Sequence, residues 1–281
     1  MERRTFRAMG TDIELLVEAE GANDALDAAE GEFHRLEALL SRFRDDSQLS
    51  QLNRDGSIDA GPELLRVFEL ALAARERTSG RFDPTVHDAV VAAGYDRTFD
   101  ELPADGAGEL VPVPAGGGVR IEGCRIELEP GVRIDLGGIA KGYAAERAAE
   151  PLATAGPCLV SAGGDIATRA GSWPVGVETE GGTITLELSG RALATSGQDR
   201  RTWRRGGRAM HHLIDPHTGA PATSDIVRIT VVATDAVDAE VLATSLFLAG
   251  VDGAAAEADA AGIPAVIVGA DGRTLLAGGL A

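Results

Sequence analysis

The chain has 281 residues, 44% of them hydrophobic, enough for one large core or two modest ones in a globular protein. Its formal net charge of −18 repels phosphate backbones and argues against a nucleic-acid partner. Two cysteines, Cys124 and Cys158, are too few for a disulfide framework or a cysteine zinc site, and Cys158 reads as a buried thiol. No apolar run has the length of a bilayer span, so stable membrane insertion is not expected. The first twenty residues hold neither an apolar signal core nor a lipid-attachment cysteine, which sets an expectation of cytoplasmic location. The one basic stretch, RRTWRRGGR from Arg200 to Arg208, fits a solvated loop or an anion site.

Taken in chain order, DIELLVE (12–18) predicts a first strand. A helix follows, with Leu26, Phe33, Leu36 and Leu40 at helical spacing; His34 lies beside this stripe as a packed residue. The segment SRFRDDSQLSQLN (41–53) predicts a polar turn. A second helix starts at Pro62 and stops before Gly80, and RFDP opens an Asp-Pro turn into a short helix. Residues 99–118 are rich in Gly, Pro and Ala and predict a loop or insert. GVRIEG, CRIELE and VRIDLG predict three short strands, followed by a helix from Ile139 to about Leu152. PCLVSAGG predicts a buried strand, and TITLEL with RALATS a hairpin around Ser189-Gly190. IVRITVVAT predicts a strand, DAEVLATSLFLAG and GAAAEADAAG two helices, and IPAVIVGADG a last strand and turn. Strands and helices mix without strict alternation, which points to the α+β class.

Four stretches carry candidate chemistry. In IDLGGIAKGYAAERA a strand-like run ends at Asp135, two glycines follow, and Lys141 falls in the first turn of a helix. That arrangement fits a phosphate cradle or a tight packing turn. Lysine and arginine total 26, yet Lys141 is the single lysine, so it marks a place where a compact point charge is needed or a chance survival. On the DAEVLATSLF helix Glu240 and Thr244 are four residues apart and share a face. They suit a hard cation such as Mg2+, with Thr244 alternatively bonding back to a helix carbonyl and Asp235 or Asp238 serving as the acid. SAGGD and ATSG are glycine turns at strand ends. Finally, RAMHHLIDPHTGAP (208–221) leads a histidine pair into an Asp-Pro turn; a histidine there is a general base or a turn cap.

The ordered series AMGTDIELLV, LSRFRDDSQLSQLN, SGRFDPTVHDAV, IDLGGIAKGYAAE, LVSAGGDIA, ATSG, HHLIDPHTGAP and DAEVLATSLFLAG resembles the ApbE family of FAD:protein FMN transferases, from Met9 to Gly250. The resemblance implies an α+β fold of mixed and antiparallel sheets flanked by helices. It implies one two-lobed domain over residues 1–281, with the insert around 99–118. The implied activity is Mg2+-dependent transfer of the FMN moiety of FAD to a threonine of an acceptor protein, releasing AMP. By motif, Met9, Phe43, Arg81, Phe82, Asp83, Asp135, Lys141 and Ile214 fall at FAD-contacting positions. The Gly138 carbonyl, Glu240 and Thr244 fall at metal-ligand positions, and His212 rather than His211 at the proton-accepting one, with Lys141 beside it in the catalytic set. Two departures stand out: Glu240 occupies an aspartate position and Phe43 a tyrosine position. They leave open an FAD pyrophosphatase giving FMN and AMP, and a non-catalytic FAD-binding protein.

Overall fold

The computed structural model describes residues 1–280. Its helices are α1 (Asn23–Leu40), α2 (Gln48–Asp55), α3 (Pro62–Arg77), α4 (His87–Ala92), α5 (Ala140–Ala153), α6 (Ala236–Leu248) and α7 (Gly250–Ala261). With the sheets below they make the α+β class expected from sequence. The chain forms two compact units. The first gathers Met1–Arg35, Ile139–Gly197 and Ser224–Ala281; the second gathers Leu36–Gly138 and Gln198–Thr223. Among the described residues no helix is long and apolar enough to cross a membrane.

The first unit is built on an eight-stranded antiparallel sheet. In spatial order its strands are Glu2–Ala8, Thr11–Val17, Cys158–Ala162, Asp165–Arg169, Ala192–Gly197, Ile226–Ala233, Ala265–Gly269 and Thr274–Ala277. Spatial order follows chain order throughout. Helix α5 packs on the third and fourth strands, α6 on the fifth and sixth, and α7 on the seventh and eighth. Alternation divides the side chains between the faces. Cys158, donating from Sγ to the Ala149 carbonyl at 3.7 Å, faces α5, while Leu159 turns the other way. There it joins Leu193, Val232 and Val266 against a separate hairpin, Trp173–Thr179 with Gly182–Leu188.

The second unit holds α2 to α4 and a three-stranded sheet of Ser57–Asp59, Arg125–Leu128 and Val119–Glu122. It also holds the hairpin Thr202–Arg205 with Arg208–His211, so the arginine-rich stretch is a hairpin rather than a loop. Its apolar cluster includes Ala89, Val90, Tyr95, Trp203, Met210 and Ile214.

The structure corrects five further expectations. Residues 2–8 form a strand that the sequence pattern hid, because arginines occupy its exposed positions. It joins the next strand through Met9 and Gly10, both at positive φ (52° and 68°), the backbone that a two-residue hairpin turn needs. Residues 48–55 are helix α2 rather than turn: Ser47 Oγ accepts from Ser50 N at 2.9 Å, and Gly56 ends the helix in the left-handed conformation. VRIDLG is no strand. The amide and carbonyl of Ile134 bond to the Asn53 side chain, at 2.7 and 2.8 Å, and the Asp135 amide to the Pro84 carbonyl. TITLEL and RALATS do not pair. TITLEL carries one polar face and closes a hairpin with 173–179, whereas ALA (192–194) is buried on both faces and lies inside the large sheet. The last strand is Thr274–Ala277, one hairpin beyond the expected end.

Candidate functional site

In the first unit the glycine-rich approach to α5 brings Lys141 to the second residue of the helix and Gly142 to the third. Helix α6 starts at a strong cap. Asp235 accepts from Asp238 N at 2.8 Å, and Glu146 accepts from Ala236 N at 2.7 Å. Asp235 is thereby engaged in capping rather than free to act as the acid. One turn on, Glu240 points into the space between the helices and is almost wholly buried, at 4% exposure. Its Oε2 accepts from Gly142 N at 2.9 Å, so the Glu240 carboxylate caps the N-terminus of α5. Its Oε1 contacts Lys141 Nζ. A Cβ on Gly142 would stand 2.5 Å from the Ala236 carbonyl oxygen; the bare glycine is what lets α5 and α6 approach this closely.

Lys141 Nζ also lies 2.8 Å from Asp165 Oδ2, an ion pair without the alignment of a hydrogen bond. Asp165 begins the strand after the SAGG turn and is 3% exposed. One helical turn on from Glu240, Thr244 Oγ1 is 3.3 Å from Ser196 Oγ. Two buried carboxylates thus share one ammonium. Burial, and then the charge of Asp165, push the Glu240 carboxyl up to about 7, against the pull of Lys141 and the Gly142 amide. The cluster is short of positive charge, and its donors are all oxygens, which suits a hard divalent cation. Among the described residues no three His, Cys, Asp or Glu side chains converge as a metal cluster, so hydroxyls and carbonyls would have to complete such a shell. The expected phosphate cradle at the α5 N-terminus is occupied by carboxylates of the protein itself. Met9 sits at the turn of the first hairpin.

In the second unit Asp135 Oδ2 pairs with Arg42 Nε at 2.7 Å, both side chains at or below 10% exposure, and its Oδ1 accepts from Gly137 N at 2.6 Å. The Arg42 guanidinium also donates to the Tyr95 carbonyl at 2.8 Å and lies 4.1 Å from the Phe43 ring centroid and 4.8 Å from that of Tyr95. Phe43 remains 38% exposed, an open aromatic face on a fixed cation. Asp83 is held by Thr85 N (2.8 Å), Thr85 Oγ1 (2.7 Å) and Arg75 Nε (3.0 Å). Phe82 is buried; its ring would stand 3.2 Å from a Cβ on Gly138. Arg81 precedes it on the turn that leaves α3, its amide donating to Thr78 O at 3.2 Å.

The histidine pair divides by environment. His211 is 8% exposed, with Nε2 3.0 Å from the Ala222 carbonyl, and burial depresses its pKa. His212 is half-buried at the strand end, two residues before Ile214. The DPHTG turn behind it is fixed by Asp215, whose Oδ1 accepts from His217 N at 2.9 Å and whose carbonyl accepts from Gly219 N at 2.8 Å. The 99–118 segment is strapped to this turn: Val113 N donates to Gly219 O and Ala115 N to Pro216 O.

Sequence reasoning missed Asp165, Ser196, Arg42 and Tyr95 as site candidates. Asp165 and Ser196 stood at the ends of the SAGGD and ATSG motifs, and a buried acid following a double glycine was the available signal. Arg42 adjoins Phe43 but gave no periodic cue.

The chain matches the ApbE family over residues 9–267. It is similar to the FAD:protein FMN transferase of Treponema pallidum (strain Nichols), 30% identical over 247 residues, 76% of this chain and 68% of the relative. The FAD:protein FMN transferase of Klebsiella pneumoniae (strain 342) is 33% identical over 137 residues, which take in 46% of this chain and 43% of that relative, less than half its length. Among solved structures, the ApbE protein of Thermotoga maritima superposes with a TM-score of 0.86 at 26% identity, covering 98% of this chain and 96% of that one. With a family match across most of its length, this chain belongs to the ApbE family.

Proposed function

We propose that the protein transfers the FMN moiety of FAD to a threonine hydroxyl of an acceptor protein, with Mg2+, and releases AMP. The observation that carries this reading is the charge-deficient cluster of Glu240, Asp165 and Lys141, with Thr244 one helical turn on from Glu240. Glu240, Thr244 and the Gly138 carbonyl would hold the cation. When bound, Mg2+ supplies charge neutralisation at the pyrophosphate.

The chain's own residues then have defined tasks. Lys141 offers its ammonium to phosphate oxygens. Met9, Phe43, Arg81, Phe82, Asp83, Asp135 and Ile214 hold the flavin nucleotide, with Phe43 giving an aromatic face and Asp135 fixed by Arg42. His212 takes the proton from the threonine Oγ as that oxygen bonds to the flavin-side phosphorus. The pyrophosphate P–O bond breaks and the electron pair leaves with AMP. His211, whose pKa burial depresses and whose Nε2 lies 3.0 Å from the Ala222 carbonyl, orients the strand rather than carrying protons.

A second reading is hydrolysis of FAD to FMN and AMP, favoured by the missing hydroxyl at Phe43. Incubation with FAD, Mg2+ and an acceptor bearing the target threonine separates the two. Flavin fluorescence that stays on the acceptor through a denaturing gel is the expected result. Free FMN alone identifies a hydrolase, and retention of intact FAD identifies a binding protein.

A further inference from the structure

We infer that the Lys141 ammonium and the divalent ion are alternative occupants of one cation position, the gap between the Asp165 and Glu240 carboxylates. The inference rests on the reading of Glu240 and Thr244 as metal ligands, and it adds Asp165 to the residues that face the ion.

Nζ lies 2.8 Å from Asp165 Oδ2 and touches Glu240 Oε1, while both carboxylates are at most 5% exposed. The Glu240 carboxylate cannot swing off with the lysine, because its other oxygen is tied to the Gly142 amide at 2.9 Å. Oε1 therefore serves whichever cation is present. An ammonium balances one of the two buried carboxylates; a divalent ion balances both. The two cations cannot share the same oxygen at contact distance, since they repel strongly where water is scarce. Exchange is the arrangement that satisfies both constraints.

Lysine suits this task better than arginine. Its charge is compact and its four-carbon stem can swing, whereas a guanidinium fork would be locked by two bonds. The Lys141 side chain is 16% exposed, against 4% for Asp165 and 5% for Glu240, so it keeps a route outward. Its contact with Asp165 lacks hydrogen-bond alignment, as befits a pair that opens. In the ion-free protein Lys141 keeps two buried carboxylates from facing each other uncompensated. With the ion in place the ammonium is released toward phosphate oxygens, the task assigned to it above.

The test uses the fact that Lys141 is the sole lysine of the chain. Wild-type protein free of flavin is acetylated briefly with an N-hydroxysuccinimide ester, and the Lys141 peptide is quantified by mass spectrometry. The reaction is run with millimolar MgCl2 and with NaCl of equal ionic strength. Exchange predicts that Mg2+ raises the Lys141 labelling rate by about tenfold or more, because the amine leaves its carboxylates. In parallel, Mn2+ affinity is measured by electron paramagnetic resonance for wild type and Lys141→Gln. The variant should bind about tenfold more tightly, its internal competitor being gone. If wild type binds Mn2+ but labelling is unchanged by Mg2+, or if Lys141→Gln binds no more tightly, exchange is overturned and the metal reading survives. If neither protein binds Mn2+, both ideas fall. The labelling arm needs no variant, so a Lys141→Gln protein that fails to fold does not rescue the claim.

Discussion

A methyl group on Gly142 has no room. It would meet the Ala236 carbonyl carbon at 2.8 Å and its oxygen at 2.5 Å, both backbone atoms of the next helix, with Glu240 Oε2 at 3.1 Å. Gly142→Ala should therefore push α5 from α6, cost about 1–3 kcal/mol, and lower the thermal midpoint by roughly 5 °C or more. It should also weaken the amide that holds Glu240. An unchanged midpoint by calorimetry would show the helices to be more compliant than drawn. Cys158 makes a second residue-scale prediction. Burial pushes its thiol up to about 11 from the ordinary 9.0. A raised native pKa leaves stability intact below pH 9 and removes it as pH rises toward 11, because only the unfolded chain sheds the proton early. The loss is on the order of 2–3 kcal/mol. Urea midpoints at pH 8 and pH 10.5 should diverge less for Cys158→Ala than for wild type; parallel curves count against the assignment.

Among the elements, the DPHTG turn has a strict requirement. Gly219 has φ of +66°, and a Cβ there would lie 2.1 Å from the Val113 carbonyl carbon. Gly219→Ala should break the bonds that tie residues 113 and 115 to the turn and cost about 2–3 kcal/mol. Limited proteolysis should then cut near Val111, which already stands 70% exposed. A digestion pattern identical to wild type would mean that the strap is held elsewhere. Elements of this kind show where sequence is legible. Helices α1, α3, α5, α6 and α7 could be read from spacing, Pro62 and Gly80, because end signals and apolar stripes are local. Helix α2 could not, since eight residues bury only Leu49 and Leu52 and leave too short a stripe. The VRIDLG segment looked like a strand because Ile134 and Leu136 are both buried, but its hydrogen bonds go to an asparagine side chain 81 residues away.

At the scale of the whole molecule, what sequence could not show is assembly. One unit draws on three stretches of chain and the other on two. The eight-strand sheet pairs Thr11–Val17 with Cys158–Ala162, across more than a hundred residues, and no local pattern encodes that partner. The TITLEL and RALATS pairing failed for the same reason: adjacency in the chain suggested a hairpin, but TITLEL pairs with 173–179 and ALA (192–194), buried on both faces, lies inside the large sheet. Candidate site residues offered more local cues than strand pairing did: Lys141 is the single lysine, and Glu240 and Thr244 stand four residues apart on one helix. Their mutual geometry, and the part of Asp165, needed the fold. In the function we propose, this acidic cluster recruits a cation for cleavage of the flavin pyrophosphate. AMP released from FAD, followed by chromatography with Mg2+ and with chelator, tests it most directly. AMP should form only when Mg2+ is present, and fall by about a hundredfold or more in Glu240→Gln. AMP formed at equal rates with chelator, or unaffected by loss of the Glu240 charge, would contradict it.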